Sequence, residues 1–321
     1  MSKYCVLLTD FAWEDLEIEK QTLSDGGAEL IIASEKDEDS LVALAKEHQV
    51  DAIMTNWAQV TEKVISASPN VKIVARLGIG LDNIDMDYCT KQGILVTNTP
   101  DYCLTEVAEH TLALIFACAR KVAMYHHDTM SGKYDLQAGP MMRRMEGQTL
   151  GIVGLGNIGE ILARKAKCLG LNVLATSRSG KTMEGVETVE MDRLLAESDY
   201  ISLLIPATPE TRKSFATEQF RKMKPTAYLI NTARGAIVDH DALAVALEAG
   251  QLAGAALDVQ DPEPCDLTIA PYNDPRVIVT PHAAFVSVES LENMRGRVAR
   301  QVIDCLEGKT PENVRNGLTA G

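Results

Sequence analysis

Gly151-Ile152-Val153-Gly154-Leu155-Gly156-Asn157-Ile158-Gly159 is the stretch on which the reading of this chain turns. Its glycines include the spacing G-x-G-x-x-G, which is weak by itself because glycines are common in turns. Here an aliphatic run, Leu150–Val153, leads into it and a helical pattern leaves it. Ile158, Ile161, Leu162, Ala166 and Leu169 keep helical spacing, and Gly170 supplies a left-handed stop. In such a strand–turn–helix, Gly154 makes the tight turn, Gly156 lets a pyrophosphate approach the backbone, and Gly159 lets helix and strand pack closely. Free N–H groups and the helix dipole at the following turn favour the phosphates. Gly154, Gly156, Asn157, Ile158 and Gly159 are therefore expected to contact a dinucleotide.

Working outward, strand-like runs alternate with helical ones along the whole chain, which predicts α/β with parallel sheets. After Thr149 the strands are Leu150–Val153, Val173–Thr176, Tyr200–Ile205, Tyr228–Thr232, Ala255–Val259 and Val277–Thr280. Six strands with intervening helices suit a Rossmann domain. Upstream lie Val6–Thr9, Leu30–Ala33, Ala52–Thr55, Ile73–Arg76 and Leu95–Thr97, separated by helical segments such as Glu14–Ser24 and Ser40–Glu47. Pro100 precedes a long helix, expected from Thr105 to Tyr125 with Thr105 as N-cap, whose middle is apolar nearly all round. Such a helix must be buried on every side, within its domain or against another subunit. The first domain lacks a closing helix, so the final amphipathic segment, Val288 to Glu307, is expected to cross back and complete it. The expected architecture is two doubly wound parallel-sheet domains. Residues 1–100 with 288–321 form a flavodoxin-like substrate domain, and residues 101–287 form a dinucleotide-binding Rossmann domain.

Composition narrows the function. The length of 321 residues accommodates two domains, and 46% hydrophobic with 24% charged residues is a globular mix. A formal net charge of −14 disfavours nucleic acid and anionic membrane surfaces, which both need concentrated Lys and Arg. The longest near-apolar stretch, Leu112 to Ala119, is too short for a membrane span. The apolar run near Met1 is followed at once by Asp10, Glu14, Asp15 and Glu17, so it reads as a β-strand rather than a leader. Seven cysteines without a Cys-x-x-Cys pair suggest reduced thiols in a cytoplasmic protein, and a catalytic cysteine is the less favoured reading. His126 and His127 point apart on a helix and lack carboxylate company, so no metal site is expected. His110 is expected to pack within its helix.

The end of the second Rossmann strand bears on the cofactor. An NAD site places Asp or Glu there for the ribose 2′-hydroxyl. This chain has Ala175-Thr176-Ser177-Arg178-Ser179, with no carboxylate. Ser177 and Arg178 suit a 2′-phosphate, so NADP(H) is expected over NAD(H). The competing reading leaves Arg178 in solvent.

Three further residues follow successive strands: Arg234, Glu263 and His282. In open α/β sheets, ligands bind outside the carboxyl ends of the strands. Arg234 suits a bidentate pair with a carboxylate. His282 suits proton exchange with a carbonyl or hydroxyl oxygen, and Glu263 would orient its ring and favour its charged form. In the first domain, Arg76, Leu77 and Gly78 open a Gly-rich loop whose N–H groups suit an anion, and these three are expected at the substrate.

In these residues the chain resembles the D-isomer-specific 2-hydroxyacid dehydrogenases along essentially its whole length. The motifs that carry the resemblance are Arg76–Asp85, Asn98-Thr99-Pro100, Val107-Ala108-Glu109, Gly154–Gly159, Asn231-Thr232-Ala233-Arg234-Gly235, Asp258 through Glu263-Pro264, and Pro281-His282. The resemblance implies hydride transfer between a nicotinamide cofactor and a small 2-oxo or 2-hydroxy acid, of the glyoxylate or hydroxypyruvate reductase kind. It implies catalytic roles for Arg234, Glu263 and His282, backbone donors at Leu77 and Gly78, and cofactor contacts at Thr232 and Asp258, the latter near the nicotinamide carboxamide. It also implies a homodimer built on the long helix and a cleft that closes by domain motion. Two departures stand out: Ser177-Arg178 replaces the NAD-type Asp, and Leu204 stands where many members carry His. The stretch Pro281–Phe285 is similar to the C-terminal binding protein branch, whose members serve as dinucleotide-sensing scaffolds. That branch and phosphoglycerate dehydrogenase are the alternatives.

Overall fold

The computed structural model describes residues 2–137 and 141–319. Contacts divide the chain into two units, Met1–Tyr102 with Ser287–Gly321, and Cys103–Val286.

In the first unit, β1 (Tyr4–Leu8), β2 (Ala28–Ile32), β3 (Ala52–Thr55), β4 (Ile73–Arg76) and β5 (Leu95–Thr97) form a parallel sheet in the order β2-β1-β3-β4-β5. This is the flavodoxin-like order. Because strand side chains alternate, Val6, Leu8, Met54 and Ile73 face one layer while Leu7, Ile53 and Val74 face the other. The first layer is closed by Leu23 of α1 (Glu17–Asp25) and by Met294, Val298, Ala299 and Val302 of α11 (Val288–Leu306). The second is closed by α2 (Glu38–His48), α3 (Glu62–Ser66) and α4 (Met86–Gln92). The last helix thus completes the first sheet. It starts at a capping box in which Ser287 and Ser290 exchange hydrogen bonds at 2.9 Å. Arg295 then binds both carboxylate oxygens of the buried Glu19 at 2.8 Å, tying α11 to α1.

The second unit is built on β6 (Thr149–Val153), β7 (Asn172–Thr176), β8 (Glu187–Thr188), β9 (Tyr200–Leu203), β10 (Tyr228–Asn231), β11 (Gly254–Leu257) and β12 (Val277–Val279). All are parallel, in the order β12-β11-β10-β9-β6-β7-β8. This is the Rossmann order with one further strand at the β12 edge. One layer holds α5 (Leu104–Arg120) and α7 (Asn157–Cys168), packed on Leu150, Ile152, Ala175 and Ile230. The other holds α8 (Met191–Glu197), α9 (Thr217–Lys222) and α10 (His240–Glu248), packed on Val153, Ile201, Leu203, Leu229 and Leu257.

Three expectations are corrected. The long helix is interrupted at Lys121, whose φ of 53° is left-handed, and resumes as α6 (Val122–Met130). It begins at Leu104 with Cys103 in the capping position, so Thr105 is already helical and is not the cap. The two-residue strand β8 was not anticipated; so short an edge carries no periodicity to read. Among the described residues, no helix is long and apolar enough to cross a membrane.

Candidate active site

The glycine loop between β6 and α7 meets each physical demand of a dinucleotide cradle. Gly154 has φ +107°, and a Cβ there would lie 2.7 Å from the Leu204 carbonyl oxygen. A Cβ on Gly159 would lie 2.5 Å from the Gly154 carbonyl oxygen, so the helix packs on its own turn only without a side chain. Gly156 differs: nothing lies within 4 Å of where its Cβ would stand. The backbone there is bare and open, at the N-cap of α7, where Asn157 and Ile158 begin the helix. An open, side-chain-free crest over a helix N-terminus fits a pyrophosphate. At the end of β7, the Ser177 hydroxyl accepts the Lys181 N–H at 2.9 Å and lies 3.3 Å from the Ser179 hydroxyl, closing a turn that leaves Arg178 exposed. Leu204 follows β9, its N–H bonded to the Val153 carbonyl at 2.9 Å.

The proposed catalytic residues follow three neighbouring strands. Asn231, Leu257 and Val279, the last residues of β10, β11 and β12, stand in register. Parallel pairing therefore delivers the segments carrying Arg234, Glu263 and His282 to one edge of one sheet. The turn after β10 is held by Asn231, whose side chain accepts the Ala233 N–H at 3.1 Å and donates to the Arg234 carbonyl at 2.9 Å. Gly235 allows that turn to pass against Gln260, since a Cβ would lie 2.0 Å from the Gln260 carbonyl oxygen. Arg234 is part-buried, and its Nη1 donates to the Ala233 carbonyl at 2.8 Å. Thr232 is buried, with its hydroxyl 2.8 Å from that of Thr111.

His282 and Glu263 are brought together. The His282 Nδ1 lies 2.8 Å from Glu263 Oε2, and the other Glu263 oxygen accepts the Gln260 main-chain N–H at 2.8 Å. The rings of Phe285 and His282 form a T-shaped pair with 6.1 Å between centroids. His282 itself has φ 54°, an uncommon conformation for a residue with a Cβ. It is held there by bonds from its N–H to the carbonyls of Asp258 at 2.8 Å and Thr280 at 3.0 Å.

Asp258 is the organiser behind this loop. Its carboxylate is wholly buried and accepts the Thr280 hydroxyl at 2.6 Å and the Ala283 and Ala284 N–H groups at 2.9 Å each. Burial pushes its carboxyl upward, but these donors and His110 outweigh it and hold the group below the usual carboxylate range. His110, expected to pack only within its helix, reaches Asp258 and Thr280 instead, each at 3.3 Å. Sequence reasoning missed this because the contact joins residues 170 positions apart.

In the first unit, the loop after β4 is held by its own arginine. Arg76 is 7% exposed and turned inward, donating to Asn56 Oδ1 at 3.1 Å and to the Leu77 carbonyl. These bonds brace the loop from within. The Leu77 N–H donates to the Thr55 carbonyl at 2.8 Å and the Gly78 N–H to the Arg76 carbonyl at 2.9 Å. Thiolate chemistry has little support: burial pushes Cys5 and Cys305 up to about 11, and Cys89 and Cys118 up to about 12.

Comparison with known proteins agrees with this geometry. Residues 112–284 match the family described as D-isomer specific 2-hydroxyacid dehydrogenase, NAD binding domain. A glyoxylate reductase of Korarchaeum cryptofilum is 40% identical over 299 residues, covering 89% of this chain and 85% of that protein. A D-lactate dehydrogenase of Aquifex aeolicus, solved with NAD and lactic acid, is 30% identical with a TM-score of 0.83, covering 95% of this chain and 96% of that one. An NADPH-dependent glyoxylate/hydroxypyruvate reductase of Sinorhizobium meliloti, solved with NADP and malonate, is 25% identical with a TM-score of 0.86, covering 100% and 99%. The likeness extends through the glycine cradle and the strand ends alike, and on that ground the chain belongs to the D-isomer-specific 2-hydroxyacid dehydrogenases.

Proposed function

We propose that this oxidoreductase reduces a small 2-oxo acid, glyoxylate or hydroxypyruvate first among them, to the 2-hydroxy acid, with NADPH preferred. The observation that carries the reading is the 2.8 Å pairing of His282 Nδ1 with Glu263 at the strand ends of a sheet bearing the glycine cradle. A carboxylate accepts, so Nδ1 carries the proton it shares with Glu263, and proton exchange falls to Nε2. A nicotinamide dinucleotide held through its pyrophosphate at the cradle would supply the hydride, or accept it in the reverse direction. As the carbonyl carbon gains hydride, His282 gives its Nε2 proton to the carbonyl oxygen, and Glu263 stabilises the charged ring before that transfer. Arg234 binds the substrate carboxylate and polarises the neighbouring carbonyl. The Leu77 and Gly78 amides stay in this reading as donors that a carboxylate would share with Thr55 and Arg76, and Thr232 and Asp258 as residues of the nicotinamide end.

Ser177 and Arg178 support the NADPH preference: two polar groups on an exposed turn stand where an NAD-type site carries Asp or Glu. A homodimer is part of the reading. Phe116 on α5, Val122 and Met130 on α6, and the later Tyr134, Leu136 and Met141 are exposed apolar side chains, between 38% and 94% accessible. Seven cysteines without a Cys-x-x-Cys pair accord with a reducing, cytoplasmic setting.

The test is oxidation of NADPH, with NADH in parallel, against glyoxylate, hydroxypyruvate, pyruvate and longer 2-oxo acids. Turnover with NADPH preferred is the expected result. Turnover with NADH preferred would overturn the cofactor assignment alone. Tight dinucleotide binding without turnover on any acid would replace the reductase by a dinucleotide-sensing scaffold. Sedimentation as a monomer would remove the dimer.

A further inference from the structure

His282 owes its place to the main chain of residues 280–284, and that main chain owes its course to one buried carboxylate. Asp258 receives the N–H groups of Ala283 and Ala284 through its side chain and that of His282 through its carbonyl. Thr280 adds its hydroxyl to the same Oδ1. A carboxylate with no solvent exposure needs these donors, because an ionised group without them would be expelled or neutralised. The donor set is not complete within the loop. Nε2 of His110, on α5, lies 3.3 Å from Asp258 Oδ1 and 3.3 Å from Thr280 Oγ1. The Thr280 hydroxyl gives its proton to Asp258, so its lone pairs face the histidine, and one ring N–H on Nε2 serves both oxygens. His110 is the contribution of a different element to this knot.

We infer that His110 is a positioning residue: by bracing the Asp258–Thr280 pair from α5, it fixes the strained backbone of His282 and so the stance of the imidazole toward Glu263. The inference rests on the reading of His282 as the proton donor, and it adds to it a residue that never touches substrate. Its mechanism is mechanical and electrostatic at once. Without the ring N–H, the buried carboxylate is short of a donor, and the main chain of 282–284 is the part free to shift in response. The Glu263–His282 bond lengthens as a result.

The test compares His110→Leu, which removes the donor, with His110→Gln, whose Nε2 occupies the same place as the ring nitrogen. His110→Leu is expected to lose about tenfold in kcat, the range of one hydrogen bond to a charged group. NADPH affinity should stay within about twofold of the parent, since the glycine cradle is untouched. His110→Gln should recover most of the loss. The second readout needs no turnover: in the dinucleotide-free protein, the ring resonances of His282 should move in His110→Leu and return in His110→Gln. A double-mutant cycle with Thr280→Val should be non-additive, because both residues serve one carboxylate. Should His110→Leu not fold, His110→Asn replaces it, since its amide stands nearer Nδ1 and falls short of Asp258; the same loss is expected.

Parent protein that turns over no 2-oxo acid would sink the catalytic reading, while the His282 resonances would still decide the positioning role. Unmoved resonances and unchanged kcat in a folded His110→Leu protein would overturn the inference. A His110→Gln protein as impaired as His110→Leu would overturn it too, as would a loss of dinucleotide affinity matching the loss in kcat, which marks general loosening.

Discussion

Glu263 holds His282 through one carboxylate oxygen at 2.8 Å and is itself held through the other by the Gln260 main-chain N–H at 2.8 Å. The acid is thus fixed at both oxygens and orients the ring through Nδ1. Glu263→Gln keeps the size but replaces the carboxylate that accepts from His282 Nδ1 with a neutral amide, a weaker acceptor. Turnover is expected to fall by about a hundredfold, within the usual contribution of acid–base catalysis, with the KM for the oxo acid changed far less. His282→Ala should lose at least as much in kcat while dinucleotide titration stays near the parent value. Steady-state kinetics on both variants check this, and equal activity in His282→Ala would remove His282 from the mechanism.

The second and third glycines of the fingerprint separate by experiment. Gly159→Ala would place a Cβ 2.5 Å from the Gly154 carbonyl oxygen, so it should lower the Tm of the free protein. Gly156→Ala meets nothing within 4 Å and has an ordinary negative φ of −88°. It should leave Tm unchanged yet weaken dinucleotide binding, because the methyl group occupies the space a pyrophosphate needs. Thermal melts and dinucleotide titrations together decide it. Undiminished affinity in Gly156→Ala would show that the phosphates sit elsewhere.

These contrasts explain which features were legible in the sequence. Strand and glycine roles are local: β3, β4 and β5 coincide with their aliphatic runs, and Gly154 and Gly159 answer to a turn and a contact within the fingerprint itself. The break at Lys121 was not legible, because apolar residues continue on both sides and a single left-handed residue leaves no mark on periodicity. Arg76 reads from sequence as the start of an anion-binding loop, but its bond to Asn56, twenty positions earlier, is a fact of the fold. The partnership of His110 with Thr280 and Asp258 was still less accessible, since only the parallel sheet brings α5 under the ends of β11 and β12. Glu263 and His282 were readable as residue types at strand ends, whereas their 2.8 Å contact is a fact of the fold.

Arg178 offers a direct test of cofactor choice. It is exposed on the turn after β7, with Ser177 holding that turn through the Lys181 N–H. Arg178→Ala should raise the KM for NADPH by about tenfold, the worth of one charge-assisted hydrogen bond to a phosphate, and leave the KM for NADH unchanged. Parallel titrations with the two cofactors measure the ratio. A preference unaltered by the substitution would mean that Arg178 faces solvent in the complex.

Asp258 makes the fold itself sensitive to acid. Its folded carboxyl is held below the ordinary value of 3.8: burial opposes ionisation, but the bonds from His110, Thr280, Ala283 and Ala284 outweigh it. The unfolded chain therefore takes up this proton at higher pH than the folded one. The stability contributed is complete above the unfolded value and is lost as pH falls from about 3.8 through the lower folded value. Urea midpoints measured from about pH 6 down to about pH 3 should decline in the parent, with the Asp258 share appearing at the acid end. Asp258→Asn should be less stable near neutral pH, because an amide cannot accept at both oxygen positions, and its curve should be flatter at the acid end. Curves of the same slope in both proteins would mean that Asp258 does not set this acid limb, and the carboxylate would then lose its assigned part in holding the His282 loop.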